Sequence, residues 1–149
     1  MSNNVRAARD QANAYESLFA DKVLKFDDGS QITIPPHPSL RLLDDEALER
    51  YEAYLAEIET YDRDENGDIK GPPFFKDGKL VTPPREIRIV KEVLGEEVYA
   101  ELRSKKLNGR PVSARDVWRL WNEQGAAVVA REAEDPKSDG GSGVLEDLP

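Results

Sequence analysis

Apolar residues in this chain change their spacing several times, and each change marks an element. After Ser2, Asn3 and Asn4, residues suited to capping, Val5, Ala8, Ala12, Tyr15 and Phe19 recur at steps of three and four, which predicts a short amphipathic helix. The alternating runs Val23-Leu24-Lys25-Phe26 and Gln31-Ile32-Thr33-Ile34 flank Asp27-Asp28-Gly29-Ser30, whose Asp-Gly pair supplies the positive φ of a tight turn, so residues 23–34 read as a β-hairpin. Pro35, Pro36 and Pro38 then stop the second strand.

From Asp44 to Tyr61 the period is helical. Leu48, Tyr51, Tyr54, Leu55, Ile58 and Tyr61 project within an arc of about 140°, with Asp45, Glu46, Glu49, Glu52, Glu57 and Glu59 opposite. Asp44 suits the N-cap, and the acids at 44–46 complement the positive end of the helix dipole. Gly, Pro, Asn and Asp crowd residues 62–82, which predicts a long loop with a short strand pair around Phe74-Phe75 and Leu80-Val81. Pro83-Pro84 opens a helix over Ile87, Val90, Val93 and Leu94 that ends at Gly95, although the Ile87-Arg88-Ile89 alternation also fits a strand. A further helix follows from Glu96 to Leu107, burying Val98 and Leu102 and stopping at Asn108-Gly109. Ser113 and Asp116 form a capping-box pattern that launches the last helix, to about Arg131. The pattern predicts a mainly α chain: a single helical domain over residues 1–133 with one N-terminal β-hairpin, a helical unit over 84–131 and a disordered tail over 134–149, where Asp-Pro-Lys-Ser-Asp-Gly-Gly-Ser-Gly offers little to bury.

Composition narrows the chemistry. No cysteine is present, which removes disulfides, thiolate metal sites and Cys nucleophiles, and the single histidine, His37, lies within Pro35-Pro36-His37-Pro38. No apolar run approaches the roughly 18 residues of a membrane span, and the opening MSNNVRAARDQANAYESLF has no apolar core of a signal peptide. The net charge of −9 and the 34% charged residues describe a well-hydrated surface. We therefore expect no catalytic residues, no cofactor and no membrane association.

Three constellations bear on binding. Asp62-Arg63-Asp64-Glu65-Asn66-Gly67-Asp68-Ile69 matches a calcium-binding EF-hand loop at its first, third, fifth, sixth and eighth positions, but Pro73 occupies the twelfth, where a bidentate Glu belongs, so no metal site is expected. Residues 44–68 hold eleven acids against Arg50 and Arg63, and their place opposite the apolar stripe predicts a solvated helix face rather than a catalytic carboxylate pair. Residues 85–131 carry ten bases and seven acids, a net of +3, and outline helix, turn and helix, with Arg115 and Arg119 near the start of a would-be recognition helix. That surplus is small for phosphate neutralisation, and no nucleic-acid partner is expected.

The last helix has an unusually wide apolar face. With Ala114 at zero, Val117, Trp121, Gly125 and Val128 cluster near 340°, Leu120 projects to about 240° and Trp118 to about 40°, an arc of about 160°. One neighbouring helix seldom covers that much, so either the helix is central to the core or one edge faces a partner. Val117, Trp118, Leu120 and Trp121 are the candidate partner-binding residues, with Trp118 open between core and interface.

Two stretches carry a resemblance. Lys25-Phe26-Asp27-Asp28-Gly29 into Ile34-Pro35-Pro36-His37-Pro38-Ser39, and Leu94-Gly95-Glu96-Glu97-Val98-Tyr99 followed by Asp116-Val117-Trp118-Arg119-Leu120-Trp121-Asn122-Glu123-Gln124-Gly125, resemble the tail assembly chaperones of long-tailed, siphovirus-type phages infecting actinobacteria. The resemblance implies a non-enzymatic protein of the host cytoplasm, absent from the mature virion, that binds the tape measure protein and promotes tail tube polymerisation. It also implies a longer frameshift product that engages the tail tube subunit, this chain being the short product, with self-association a further option. The alternative from the residues themselves is a small helix-turn-helix DNA-binding regulator.

Overall fold

The computed structural model describes residues 19–134 together with 5, 6, 8 and 9; within the last helix, side chains are described to residue 126. The helix expected over Val5–Phe19 and the tail expected beyond Glu134 fall largely or wholly outside these residues. The described chain is mainly α, with four α-helices and three two-stranded antiparallel hairpins.

Strands β1 (Lys22–Lys25) and β2 (Gln31–Ile34) pair with Leu24 opposite Ile32 and Lys25 opposite Gln31. The alternation puts Ile32 and Ile34 in the core and Gln31 and Thr33 in solvent. Asp28 closes the turn by accepting from the Ser30 hydroxyl at 2.5 Å and the Ser30 amide at 2.9 Å. A short 3₁₀ turn, Pro38–Leu40, leads to α1 (Asp45–Ile58), whose N-cap is Asp44, its carboxylate accepting from the Ala47 amide at 2.8 Å. Helix α1 ends one turn before Tyr61, which is nevertheless buried and packs on Phe74 with ring centroids 5.4 Å apart.

The 62–82 loop contains the short pair β3 (Phe75–Lys76) and β4 (Lys79–Leu80), close to the predicted positions. Helices α2 (Arg85–Leu94) and α3 (Glu96–Arg103) follow, so 85–94 is helix and not strand. They meet at Gly95 alone, with φ +86° and ψ 158°, a backbone that side chains rarely tolerate. Arg50 reaches this corner from α1, donating from Nε to the Glu92 carbonyl at 2.7 Å and from Nη2 to that of Val93 at 3.4 Å, two acceptors the end of α2 leaves without helical partners.

The predicted span Glu96–Leu107 is too long. Helix α3 stops at Arg103, burying Tyr99 and Leu102 while Val98 is half-buried, and Lys106–Leu107 (β5) and Arg110–Pro111 (β6) form a third hairpin. Asn108-Gly109, expected as a helix stop, is its turn, with φ of 51° and 78° suited to a two-residue hairpin. Helix α4 (Ala114–Glu134) begins at the predicted cap: the Ser113 amide donates to Asp116 at 2.9 Å and the Arg115 amide donates to the Ser113 hydroxyl at 3.3 Å.

Every major element feeds one core. Phe26, Ile32 and Ile34 of the hairpin, Tyr51 and Tyr54 of α1, Ile89, Val90, Val93 and Leu94 of α2, Tyr99 and Leu102 of α3, and Val112, Ala114, Val117 and Trp121 form a continuous buried cluster. The first and third hairpins are clasped together at their turns. Asp27 accepts from the Asn108 amide at 2.9 Å and the Gly109 amide at 2.8 Å, while its own amide donates to the Lys106 carbonyl at 2.9 Å. Lys105 adds an ion pair to Asp28 at 3.0 Å, and the Ser30 bonds together with this pair hold the Asp28 carboxyl far below its ordinary range.

Candidate functional site

Helix α4 is flanked on two sides, and that explains most of its wide apolar face. Val117 is fully buried and Trp121 only 2% exposed. Both are core residues, so of the four candidate positions Val117, Trp118, Leu120 and Trp121 only the edge pair, Trp118 and Leu120, keeps exposed surface. Leu120, at one edge, is half-buried and packs against the core. Gln124, inside the same arc, is buried and donates to the Ala20 carbonyl at 3.5 Å.

The second flank is the proline-rich segment after β2. The indole N–H of Trp121 donates to the Pro35 carbonyl at 2.8 Å, and Pro36 and Pro38 are fully buried. His37 lays its ring against both tryptophans, with centroids 5.6 Å from Trp118 and 5.3 Å from Trp121, and the tryptophans meet edge to face at 5.2 Å. Its Nδ1 accepts from the Ser39 amide at 3.0 Å. Burial, and secondarily the positive charge of Arg85, push His37 below its ordinary pKa, so the neutral ring is favoured. No carboxylate hydrogen-bonds to His37 among the described residues, and its role here is packing.

Trp118 differs from Trp121. It is half-buried, its indole N–H donates to the Glu86 carbonyl in the first turn of α2 at 2.8 Å, and one side of its ring lines an open groove of about 910 Å³. Its lining comes from Pro83, Pro84, Arg85, Glu86 and Ile87 at the start of α2, from Tyr99 and Arg103 of α3, and from Ser113, Ala114, Arg115, Trp118 and Asn122 at the start of α4. A shallower depression of about 460 Å³ continues along α4 past Arg115, Trp118, Arg119, Asn122, Glu123 and Ala126. Ile87, predicted on the buried stripe of α2, lies at the groove with 36% of its surface exposed. The sequence pattern singles out Trp118 but misses the contribution from the start of α2, whose only signal is Ile87, an apolar residue in the first turn of a helix.

The other sequence candidates are committed to structure. Asp62 accepts from the Asp77 amide at 3.0 Å and the Gly78 amide at 2.9 Å, holding the β3–β4 turn as Asp27 holds the β5–β6 turn, and these bonds draw its pKa down. Asp64 accepts from the amides of Asn66 and Asp68. Among the described residues no group of three or more His, Asp or Glu is placed to hold a metal ion. The acidic face of α1 is not wholly solvated: Glu57 pairs with both ends of the Arg88 guanidinium at 2.9 and 3.0 Å and accepts from the Tyr61 hydroxyl. Arg88 also pairs with Glu92 at 3.0 Å and covers the Tyr54 ring at 4.7 Å; the Arg88 bonds hold Glu57 below its ordinary pKa. Arg115 and Arg119 are exposed, but α3 and α4 are joined through the β5–β6 hairpin, not through the three- or four-residue turn of a helix-turn-helix.

In the groove at Trp118 apolar side chains and guanidinium groups stand together, an arrangement suited to holding a side-chain-bearing ligand without covalent chemistry. Comparison with protein-family models, with curated proteins and with solved structures finds no match to this chain.

Proposed function

We propose that this chain is a non-enzymatic tail assembly chaperone of a long-tailed phage, which binds the tape measure protein and promotes polymerisation of the tail tube around it. The observation that carries the reading is the groove at Ile87 and Trp118, an apolar seat left open beside α4 in an otherwise acidic, well-hydrated chain. The blocks that resemble the chaperone family also support it: Ile34–Ser39 and Asp116–Gly125 meet in the His37, Trp118 and Trp121 cluster. On this reading the protein acts in the host cytoplasm and is left out of the mature virion. A longer frameshift product would bring the tail tube subunit.

The test is co-expression with the tape measure protein of the same genome, followed by affinity capture. Co-purification that survives high salt supports the proposal. Intact tails assembled without this protein would overturn it. The regulator reading keeps one favourable observation, the exposed Arg115 and Arg119 on the first turns of α4. Salt-sensitive binding to a DNA duplex would move the assignment there.

A further inference from the structure

We infer that the groove receives an amphipathic helix of about four turns whose apolar stripe meets Ile87 and Trp118 and whose flanks carry carboxylates. The inference rests on the protein-client reading above and adds the chemistry of the client.

Charge around the groove points to that chemistry. Elsewhere among the described residues Arg41 pairs with Glu52, Arg63 with Glu59, and Arg88 with Glu57 and Glu92, while Arg50 donates to the Glu92 and Val93 carbonyls and Arg110 stands without an ion pair. At the groove, Arg85, Arg103 and Arg115 have no ion-pair partner among the described residues, and Arg103 lies only over the Tyr99 ring, at 5.9 Å. Arg119, beside the continuation, lies 3.8 Å from Asp116. Against these, Glu86 and Glu123 are the acids that line the two depressions. A chain of net charge −9 thus presents guanidinium groups around its open apolar seat. An acidic client is repelled elsewhere and accepted there, which fixes where it lands and in which orientation.

The geometry favours a helix over an extended peptide. The lining comes from helices α2, α3 and α4 with Pro83, Pro84 and Ser113 from the segments leading into them, and no strand residue contributes, so no strand edge is on offer to pair an extended backbone, whereas a helix satisfies its own amides and carbonyls. From Ser113 to Ala126 the two depressions follow α4 for roughly 20 Å at 1.5 Å per residue, the length of about four turns.

The test uses the full chain and three labelled helical peptides that share one leucine stripe and differ only in flanking Glu, Gln or Lys, with affinity read by fluorescence anisotropy. The Glu peptide should bind about tenfold tighter than the Lys peptide at low ionic strength, with the gap narrowing as salt shortens the Debye length. Arg85 and Arg115 are exposed, so an Arg85→Glu/Arg115→Glu double variant should fold and reverse the order; circular dichroism checks that it does. Equal or stronger binding of the Lys peptide, no binding by any of the three, displacement by a DNA duplex, or a groove closed by a second copy in sedimentation would each overturn the inference. Should the tape measure protein bind while the Glu peptide shows no preference, this inference fails and the chaperone reading stands. Should the Glu peptide be preferred while the tape measure protein does not bind, the groove chemistry stands and the chaperone reading fails.

Discussion

Replacing Trp118 with alanine tests whether this side chain is shared between core and groove. A fully buried Trp→Ala change costs about 3–5 kcal/mol, and Trp118 is half-buried, so its cost belongs at the lower end, about 3 kcal/mol. The parts agree with that figure. The indole hydrogen bond to the Glu86 carbonyl contributes about 1 kcal/mol, and the edge contacts with His37 and Trp121 about 0.5–1.5 kcal/mol each. Urea unfolding followed by far-ultraviolet circular dichroism gives the loss directly, with a fall in Tm of roughly 10 °C as the thermal counterpart. Trp118→Phe keeps a ring but removes the N–H donor, and should lose only about 1 kcal/mol. A loss below about 1 kcal/mol for the alanine variant would show that the ring does not pack on His37 and Trp121; one above about 5 kcal/mol would make it wholly core and leave the groove without its anchor.

Individual contacts elsewhere in the fold can be tested in the same way. Gly95→Ala should cost at least about 1 kcal/mol in the same assay, since a Cβ at φ +86° is strained and would lie 3.3 Å from Arg50 Nη2. Gly125→Ala, helical with nothing within 4 Å of the added carbon, should instead gain about 0.5–1 kcal/mol. Asp27→Ala should speed hydrogen exchange at the Asn108 and Gly109 amides about tenfold, while the β3–β4 turn held by Asp62 is unaffected. His37 has a folded pKa below its unfolded value, so the unfolded chain binds the extra proton: stability is full above about pH 6.5 and falls as the pH drops below it. His37→Gln should flatten that part of the pH profile. Glu57, also depressed, should cause a separate loss only as the pH falls below about 4.5, and this should persist in His37→Gln.

Elements whose defining contacts are local were legible in the sequence. The Asp-Gly turn of the first hairpin, the stripe and Asp44 cap of α1, and the Ser113 start of α4 all depend on residues within a few positions of one another. Asn108-Gly109 misled because the same dipeptide ends helices and turns hairpins; what decides is Asp27, some eighty positions away, whose carboxylate binds both turn amides. The width of the α4 stripe was legible, but its cause was not. Periodicity says how much surface is apolar and not which element covers it, and the cover includes Pro35–Pro38, a segment without any period. Arg88 likewise drew Glu57 from a face expected to be solvated through a pairing that crosses from α1 to α2.

An amide-exchange footprint of the full chain, with and without the tape measure protein, tests the groove as the client's seat most directly. Slowed exchange and shifted signals are expected at Ile87, at Arg115 and Arg119, and at the Trp118 indole, with the Asn108-Gly109 turn and the acidic face of α1 unchanged. A footprint on the acidic face of α1, or no complex at all, would contradict that assignment.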